Sequence, residues 1–326
     1  MGRDVKVAIV GVGGIVLNQH LKHLAAMPNV KIVGYLRNKS GRAEAAAKDY
    51  GGRLYDSVDQ VAADDGVDAV YVSVPPFAHG EIELKLLAAK KALFIEKPLA
   101  IDLPTAERIH NAAIAAGVVT AVGYHWRYQT TVDRMRECLA GKEILGGVGF
   151  WCGDRPGVWW WRDKSTSGGQ AVEQTTHIFD LANYLVESKP VSVYATGRRS
   201  SLYAADPKHS VEDVSTAQVQ YANGVTLSIW SSDVMNGKAS KVGLEIFAVG
   251  GRYEVGFEKL NCRERDEVVE VSNEGNPYQR LNDAFIHALA TGDRSRIRSD
   301  YASAMLAHRV TTGVERSIAS GSVEKL

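Results

Sequence analysis

The first 122 residues alternate between apolar runs and amphipathic segments. Val5–Val10 (VKVAIV) is a nearly continuous β-branched run, which is typical of a strand buried on both faces. Leu17, Leu21 and Leu24 then recur at helical spacing until Pro28. The same alternation predicts strands at Val30–Leu36, Val67–Val74, Ala92–Ile95 and Val118–Val122, and helices near Arg42–Tyr50, Glu81–Lys90 and Thr105–Ala116. Such alternation predicts a parallel sheet with helices on both faces.

The pattern changes near Gly123. From there to Gly169 the chain is rich in aromatic residues and glycine, with one helix predicted near Thr131–Ala140. A continuous helix is predicted from about Ala171 to Val186. Alternating runs then predict strands at Val191–Gly197, Ser215–Tyr221, Val225–Ser231, Val242–Val249, Arg252–Phe257 and Glu267–Val271, and helices near Gln279–Thr291 and Tyr301–Ser320. Turn pairs such as Asn223-Gly224 favour hairpins, so this half predicts an antiparallel sheet.

The length of 326 residues exceeds the roughly 250–300 at which single hydrophobic cores stop growing. We therefore predict two domains, residues 1–123 and 124–326, with the C-terminal helix free to pack back on the first. Lys plus Arg and Asp plus Glu both number 38, and this neutral balance disfavours a nucleic-acid partner. No segment resembles a signal peptide or a membrane span, so we expect a cytoplasmic protein.

The cysteines give no sign of a metal site. Cys138, Cys152 and Cys262 lack CxxC spacing and lack paired histidines at zinc-ligand intervals. We interpret each as a small buried hydrophobe in a reducing compartment, and we predict no metal. His20, His23, His110 and His209 have no partner recognisable in the sequence and are assigned structural roles.

A glycine turn lies between the first predicted strand and the first predicted helix. Gly11 permits a tight turn, and Gly13 lets the backbone approach a pyrophosphate at the helix N-terminus, with Gly14 and Ile15 following. Val16 stands where the G-x-G-x-x-G motif has its third small residue. The alternative is a tight turn that binds nothing, but its place at the first strand–helix junction favours dinucleotide binding.

The end of the second predicted strand indicates which dinucleotide is bound. NAD-binding proteins usually carry Asp or Glu there, whereas this chain reads Arg37-Asn38-Lys39-Ser40. Arg37 and Asn38 can donate to a 2′-phosphate, so NADP is predicted ahead of NAD. A solvated basic loop is the alternative.

Four further segments resemble one family: Ser73–His79 (SVPPFAH), Glu96-Lys97-Pro98, Gly123–Arg127 (GYHWR), and Ser167-Gly168-Gly169 followed by Glu173–Asp180 (EQTTHIFD). Their order and spacing resemble the Gfo/Idh/MocA oxidoreductases, the family of glucose–fructose oxidoreductase and inositol dehydrogenase. The resemblance spans almost the whole chain. It implies an α/β fold with an N-terminal Rossmann domain and a C-terminal α/β domain built on a large open, mostly antiparallel sheet. Glu173 stands where the family more often has Asp, which puts the transfer of a relative's substrate in doubt.

The resemblance also implies roles for individual residues. Lys97 and His177 would flank the reacting carbon of a sugar, cyclitol or related polyol, and Arg127 would lie near the nicotinamide cofactor. Lys97-Pro98 would be a cis peptide. The residues implied to line the cofactor are Ser73, Pro75, His79, Glu96 and Lys97.

The residues themselves support this chemistry. Lys97 follows a strand end and could stabilise an alkoxide, although an isolated lysine there could also be a surface residue. In a continuous helix Glu173, His177 and Asp180 would share one face, with His177 as general base in oxidation and general acid in reduction. Glu173 and Asp180 could orient the imidazole or bind a hydroxyl. The polar stripe could equally be a solvated face.

Trp159-Trp160-Trp161 with Arg155 and Arg162 is the other unusual cluster. One tryptophan could contact a sugar and at least one should pack in a core or a subunit interface, while the arginines could hold a carboxylate or phosphate. The candidate substrate-binding residues are Lys97, Tyr124, Arg155, Trp161, Glu173, His177 and Asp180.

The predicted function is NAD(P)-dependent hydride transfer to or from a secondary alcohol, without a metal. The alternatives are an NAD-dependent glycoside hydrolase, a non-enzymatic NADP-sensing regulator of the same fold, and a glycan-binding module. Because an open sheet needs its exposed face covered, a homodimer or homotetramer through the C-terminal sheet is expected.

Overall fold

The computed structural model describes residues 3–200, 202, 206 and 208–326. In that part of the chain, fifteen strands form two sheets. Six strands form one sheet, here called the parallel sheet, in which every pair is parallel. Their order is β3 (Arg53–Tyr55), β2 (Val30–Leu36), β1 (Val5–Val10), β4 (Ala69–Val72), β5 (Ala92–Ile95) and β6 (Thr120–Val122). Nine strands form the other, here called the mixed sheet. Their order is β14 (Glu267–Ser272), β13 (Lys259–Glu264), β12 (Gly251–Val255), β11 (Lys241–Ala248), β7 (Ile144–Cys152), β10 (Thr226–Ser232), β9 (Val214–Tyr221), β8 (Pro190–Arg198) and β15 (Glu324–Lys325). These two sheets confirm the predicted fold class.

The parallel sheet follows from the apolar runs of the sequence. All residues of its neighbouring strands Ala69–Val72 and Ala92–Ile95 are buried, as expected for strands covered on both faces. The helix Arg42–Tyr50 and the strand Val30–Leu36 are confirmed at their predicted ends. The strand Arg53–Tyr55 and the helix Val58–Ala63 were not predicted. The elements are β1 (Val5–Val10), α1 (Leu21–Ala26), β2 (Val30–Leu36), α2 (Arg42–Tyr50), β3 (Arg53–Tyr55), α3 (Val58–Ala63), β4 (Ala69–Val72), α4 (Glu81–Ala88), β5 (Ala92–Ile95), α5 (Leu103–Ala116) and β6 (Thr120–Val122).

The strand order places a ligand-binding edge. β1 lies between β2 and β4, so the winding direction of the sheet reverses at β1 and β4. In open α/β sheets, ligands bind outside the carboxyl ends of the strands at such a reversal. Gly11 follows β1, Ser73 follows β4 and Glu96 follows β5, so three predicted site segments lie at this edge.

The mixed sheet has one parallel pair, β7 with β10, among otherwise antiparallel pairings. Its central strand β7 was missed by the sequence prediction, because Gly146, Gly147 and Gly149 break the alternation of apolar and polar side chains. The elements are α6 (Thr130–Leu139), β7 (Ile144–Cys152), α7 (Lys164–Ser167), α8 (Gln170–Glu173), α9 (Thr176–Val186), β8 (Pro190–Arg198), β9 (Val214–Tyr221), β10 (Thr226–Ser232), β11 (Lys241–Ala248), β12 (Gly251–Val255), β13 (Lys259–Glu264), β14 (Glu267–Ser272), α10 (Pro277–Thr291), α11 (Tyr301–Ser320) and β15 (Glu324–Lys325).

One face of the mixed sheet is covered and the other is open. Leu227 and Ile229 of β10 are buried, and α9 packs on β7, β10 and β11. The intervening Trp230 points the opposite way and is 45% exposed. Tyr194 of β8 lies on the same open face and is also exposed.

The predicted continuous helix from Ala171 to Val186 is wrong. The chain forms α8, breaks at Gln174 and Thr175, and continues as α9. Gln174 has φ −105° and ψ −57°, which is distorted from helical values. Glu173 and His177 therefore lie on different helices, and the i, i+4 relation does not hold between them.

The chain divides into two compact units. Unit 1 comprises the chain as far as Ala100, Pro104–His125 and Asn276–Met305, and unit 2 comprises Ile101–Leu103, Trp126–Gly275 and Leu306–Leu326. The predicted boundary near 123 assigns all of 276–305 to the second domain, whereas the structure groups this segment with unit 1. Within the described residues, no helix has the length and apolar character that a membrane span requires.

Candidate active site

The glycine turn after β1 has the geometry of a close backbone approach. Gly11 has φ +90°, and a Cβ there would collide with the Ser73 carbonyl oxygen. A Cβ on Gly13 or Gly14 would meet nothing, so open space lies in front of both. Ile15 is exposed. This cradle fits a pyrophosphate at the sheet edge.

The helix after this turn begins with a π-helical segment, Val16–His20, in which the Leu21 N–H donates to the Val16 carbonyl. π-Helical turns are rare and are frequent at functional sites. This segment contains His20, which is completely buried. No partner of this histidine could be recognised in the sequence, but the structure shows that it contacts Glu96, the residue before Lys97.

Glu96 and Lys97 follow β5 directly. The Lys97 N–H donates to Glu96 Oε2 at 3.2 Å, and His20 Nε2 lies 2.8 Å from Glu96 Oε1. A Cβ on Gly123 would lie about 2.5 Å from the same carboxylate, so glycine leaves room for Glu96. The Lys97-Pro98 peptide is cis, as predicted.

The tautomer of His20 follows from its second contact. Asn282 Nδ2 donates to the Tyr278 carbonyl at 2.9 Å, which turns Asn282 Oδ1 toward Tyr71 and His20. Oδ1 can only accept, so His20 Nδ1 carries a proton and donates to it at 3.1 Å. His20 Nε2 lies 2.8 Å from Glu96 Oε1. Without a proton between them, a lone pair of the nitrogen would face a lone pair of the oxygen, so one further proton must lie between these two atoms.

His125 is a second histidine to which the sequence assigned no role. It is buried and stacks on Tyr278 with ring centroids 4.1 Å apart. Burial, with the nearby positive charge of Lys97, lowers the pKa of His125 to about 3. His125 is therefore neutral at physiological pH.

His79 lies on the segment after β4, where the resemblance implied a cofactor contact. Its Nδ1 is 2.6 Å from Glu83 Oε1, and Glu83 Oε2 accepts from the Gly80 N–H at 2.7 Å. His79 Nε2 is buried, and no residue in the described ranges hydrogen-bonds it. A buried imidazole nitrogen of this kind fits a polar ligand group at the edge.

The basic loop after β2 is partly neutralised. Arg37 Nε lies 3.0 Å from Asp56 Oδ1, and Arg37 Nη1 lies 3.5 Å from Glu44 Oε1. Asn38 Oδ1 accepts from the Ser40 backbone N–H at 3.1 Å. Arg37 remains half-exposed, so it is accessible to a phosphate.

His177 lies in the first turn of α9 in unit 2. It is 5% exposed, and its ring stacks on Trp151 of β7 at 5.3 Å and 23°. Just before α9, Thr175 Oγ1 donates to Ser231 Oγ at 2.8 Å, which ties the helix break to β10. The imidazole is thereby held between a helix start and the sheet.

Glu173 accepts a hydrogen bond from a buried tryptophan. Trp161 Nε1 donates to Glu173 Oε2 at 3.0 Å, and Trp161 has no exposed surface. This confirms that one of the three tryptophans packs in a core. Trp159 is 68% exposed, so it is better placed than Trp161 to meet a ligand.

Arg127 and Asp180 form a buried pair in unit 2. Arg127 Nε donates to Asp180 Oδ2 at 2.8 Å, and Arg127 Nη2 to Asp180 Oδ1 at 2.5 Å. Both side chains are almost completely buried. Asp180 therefore holds Arg127, and Tyr184 stacks on the same guanidinium at 5.0 Å.

The remaining predicted residues differ in exposure. Tyr124, in unit 1, is completely buried. Arg155, in unit 2, is half-buried, with Nη1 3.4 Å from His209 Nδ1. Pro75 precedes the short helical turn Pro76–Ala78 at the ligand-binding edge of the parallel sheet.

Two family models match the chain. One, described as "Oxidoreductase family, NAD-binding Rossmann fold", matches residues 5–124, and the "GFO/IDH/MocA C-terminal domain" matches residues 143–256. Glucose-6-phosphate 3-dehydrogenase of Bacillus subtilis is 28% identical over 239 residues, 70% of this chain and 67% of that protein. The scyllo-inositol 2-dehydrogenase (NAD(+)) of the same organism is 28% identical over 209 residues, 61% of this chain and 58% of that protein.

A solved structure also matches in fold. Levoglucosan dehydrogenase in complex with NADH and levoglucosan superposes with a TM-score of 0.86, covering 99% of each chain at 19% identity. At this identity the likeness establishes a shared fold.

Proposed function

The chain belongs to the Gfo/Idh/MocA oxidoreductase family, and from this premise we propose that it transfers a hydride between a nicotinamide cofactor and a secondary alcohol or ketone carbon of a sugar, cyclitol or related polyol. The observation that carries the proposal is the edge of the parallel sheet. There the open glycine turn, Ser73 and Lys97 follow the neighbouring strands β1, β4 and β5.

The residues of this edge would hold the cofactor. The backbone at Gly13 and Gly14 would meet the pyrophosphate, while Ser73, Pro75 and His79 would line the remainder, with His79 Nε2 available as a polar contact. The bound nicotinamide supplies the hydride acceptor or donor.

Lys97 would contact the reacting oxygen. Its backbone N–H donates to Glu96 directly after β5, a position from which the ammonium would reach the sheet edge. In oxidation it would stabilise the developing alkoxide, and in reduction it would polarise the carbonyl. Because His125 is neutral, it adds no second positive charge beside Lys97.

His177 would take the hydroxyl proton in oxidation and return it in reduction. An imidazole is suited to this role near neutral pH, and stacking on Trp151 fixes its ring plane. Glu173, held by Trp161, would bind a neighbouring hydroxyl. The names of the two relatives, a sugar-phosphate dehydrogenase and an inositol dehydrogenase, support a polyhydroxylated substrate.

NADP is proposed ahead of NAD. Arg37 is half-exposed beside Asn38 at the end of β2, and it could exchange Asp56 and Glu44 for a 2′-phosphate. Calorimetric titration of both cofactors tests this. We expect Arg37→Ala to weaken NADP at least tenfold and to leave NAD unchanged, whereas tighter NAD binding by the native chain would contradict the proposal.

The function is tested with Lys97→Ala, assayed on a sugar and polyol panel by nicotinamide absorbance. We expect kcat to fall by about 10²–10³, because a group that stabilises developing charge is lost, while the cofactor Kd changes little. Lys85→Ala is the matched control, since Lys85 pairs with Asp59 on the surface of the same unit. Near-normal turnover in Lys97→Ala would overturn the assignment. Release of a leaving-group sugar without net cofactor turnover would instead indicate the glycoside hydrolase.

We also propose that the chain forms a homo-oligomer through the mixed sheet. The open face of this sheet carries exposed Trp230 and Tyr194, which would be covered by a second copy.

A further inference from the structure

A histidine and two aspartates meet at one end of the mixed sheet, within unit 2. His209 and Asp213 belong to the connection before β9, and Asp233 directly follows β10. One potential ligand atom from each side chain lies within 4.8 Å of the other two. All three residues are buried, at 3% exposure or less.

Asp233 is the unusual member of this cluster. It is 2% exposed, and no described residue hydrogen-bonds either of its carboxylate oxygens. Its own backbone N–H donates to the Asp213 carbonyl at 3.2 Å. A buried carboxylate without donors is costly, and buried charges are normally paired or coordinate metals.

Neither His209 nor Asp213 forms a hydrogen bond with the Asp233 carboxylate. Asp213 Oδ1 lies 3.1 Å from His209 Nε2, and Asp213 Oδ2 accepts from the Ser200 backbone N–H. Burial and the neighbouring Asp213 raise the pKa of Asp233 to about 7. The cluster therefore holds two neighbouring carboxylates, of which Asp213 has hydrogen-bond contacts and Asp233 has none among the described residues.

We propose that His209, Asp213 and Asp233 form a binding site for a divalent transition-metal ion. One imidazole nitrogen and two carboxylate oxygens suit Mn²⁺ or Zn²⁺, and three protein ligands leave positions for water or another oxygen ligand. The ion ties the β8–β9 connection to the end of β10. No step of the proposed hydride transfer requires this ion.

Arg155 competes with the metal. Its Nη1 lies 3.4 Å from His209 Nδ1, and because a guanidinium only donates, that contact keeps the imidazole proton on Nε2, facing Asp213. Metal binding at Nε2 moves the proton to Nδ1 and displaces Arg155. Removal of the guanidinium should therefore strengthen binding, which is the opposite of the effect of removing a ligand.

The experiment titrates Mn²⁺ into the untagged full chain and follows free Mn²⁺ by electron paramagnetic resonance. Mn²⁺ is used because it prefers oxygen ligands to thiols. The Sγ atoms of Cys138 and Cys262 lie 3.6 Å apart, so this pair of thiols could bind Zn²⁺. We expect about one Mn²⁺ per chain, with affinity reduced more than tenfold in Asp233→Asn and in His209→Gln and increased in Arg155→Met.

His287→Ala is the control, because His287 and Asp293 form an exposed histidine–carboxylate pair at 3.3 Å. It should bind Mn²⁺ like the native chain. Near-ultraviolet circular dichroism establishes that each variant is folded, and two independent ligand variants guard against one failing to fold. No Mn²⁺ binding by the folded native chain, or undiminished binding in folded Asp233→Asn or His209→Gln, would overturn the proposal.

Discussion

At the scale of single residues, the buried pair of His20 and Glu96 supports the edge of the parallel sheet at which Lys97 lies. His20 donates to Asn282 and shares a proton with Glu96, and Glu96 in turn accepts from the Lys97 backbone. Because both members are buried, loss of either one leaves the other without compensation.

Replacing His20 with Phe should therefore destabilise the protein strongly. Glu96 Oε1 and Asn282 Oδ1 would each lose a donor, and breaking a buried charge pair costs about 3–5 kcal/mol. Urea unfolding measures this loss. His23→Ala, in the adjacent turn of the same helical segment, should change the free energy of unfolding by less than about 0.5 kcal/mol. A stable His20→Phe variant would show that the pair contributes little.

Glu315 gives stability a pH dependence. Its carboxyl is largely buried beside Lys164 and Glu212, and this burial raises its pKa to about 7, against the opposing effect of Lys164. A raised pKa means that the folded state favours the protonated form. This contribution is present below about pH 4.5, where the unfolded chain is protonated, and it is lost as pH rises to about 7.

We expect the free energy of unfolding of the native chain, relative to Glu315→Gln, to fall by up to about 3 kcal/mol between pH 4.5 and 7, since one pKa unit is worth 1.36 kcal/mol. Urea unfolding at pH 5 and 7.5 measures the difference. Glu274→Gln, at an exposed position, should show a constant offset. A pH-independent difference for Glu315→Gln would contradict the assignment.

At the scale of elements, a glycine sets how closely α9 approaches the sheet. A Cβ on Gly149 of β7 would lie 2.5 Å from Ile178 Cγ2, so the helix that carries His177 packs almost directly on the strand backbone. The helix break at Gln174 and Thr175, fixed by the Thr175–Ser231 hydrogen bond, gives α9 its separate direction.

Gly149→Ala should overpack this contact and cost about 1–3 kcal/mol of unfolding free energy. In an Ile178→Ala background the new methyl group has room, so the same substitution should cost clearly less. Gly153→Ala is the matched control, because a Cβ there meets nothing within 4 Å. Equal costs in the native and Ile178→Ala backgrounds would refute the contact.

The sequence was informative where local pattern decides structure. The apolar runs of β4 and β5 are buried on both faces, so their strands could be predicted without knowledge of the fold. β7 could not be predicted, because its glycines replace the side chains that reveal a strand. His20 was assigned a structural role because its partners lie 76 and 262 residues away along the chain. The proposed association of His209 with Asp233 could not be predicted from the sequence for a related reason, since the two residues are brought together only through the pairing of β9 with β10.

At the scale of the whole molecule, the open face of the mixed sheet should govern assembly. Trp230 of β10 pairs with Phe150 of β7 on one side and with Thr216 of β9 on the other, so an aromatic side chain lies near the centre of this face. Trp230→Glu should shift the chain toward monomer in sedimentation velocity, because a charge would be buried at the interface. Trp159→Glu, also exposed, should leave the assembly unchanged. An unaltered oligomer in Trp230→Glu would place the interface elsewhere.

The grouping of residues 276–305 with unit 1 has a consequence for how the protein is made. Asn282, which fixes the tautomer of His20, leaves the ribosome only after residues 126–275 have been synthesised. At about 5–20 residues per second, those roughly 150 residues take about 8–30 s. During that interval, His20 and Tyr71 of the nascent N-terminal segment lack Asn282 Oδ1, the acceptor that they share in the folded protein. Unit 1 can therefore complete its folding only after the central segment of unit 2 has been translated.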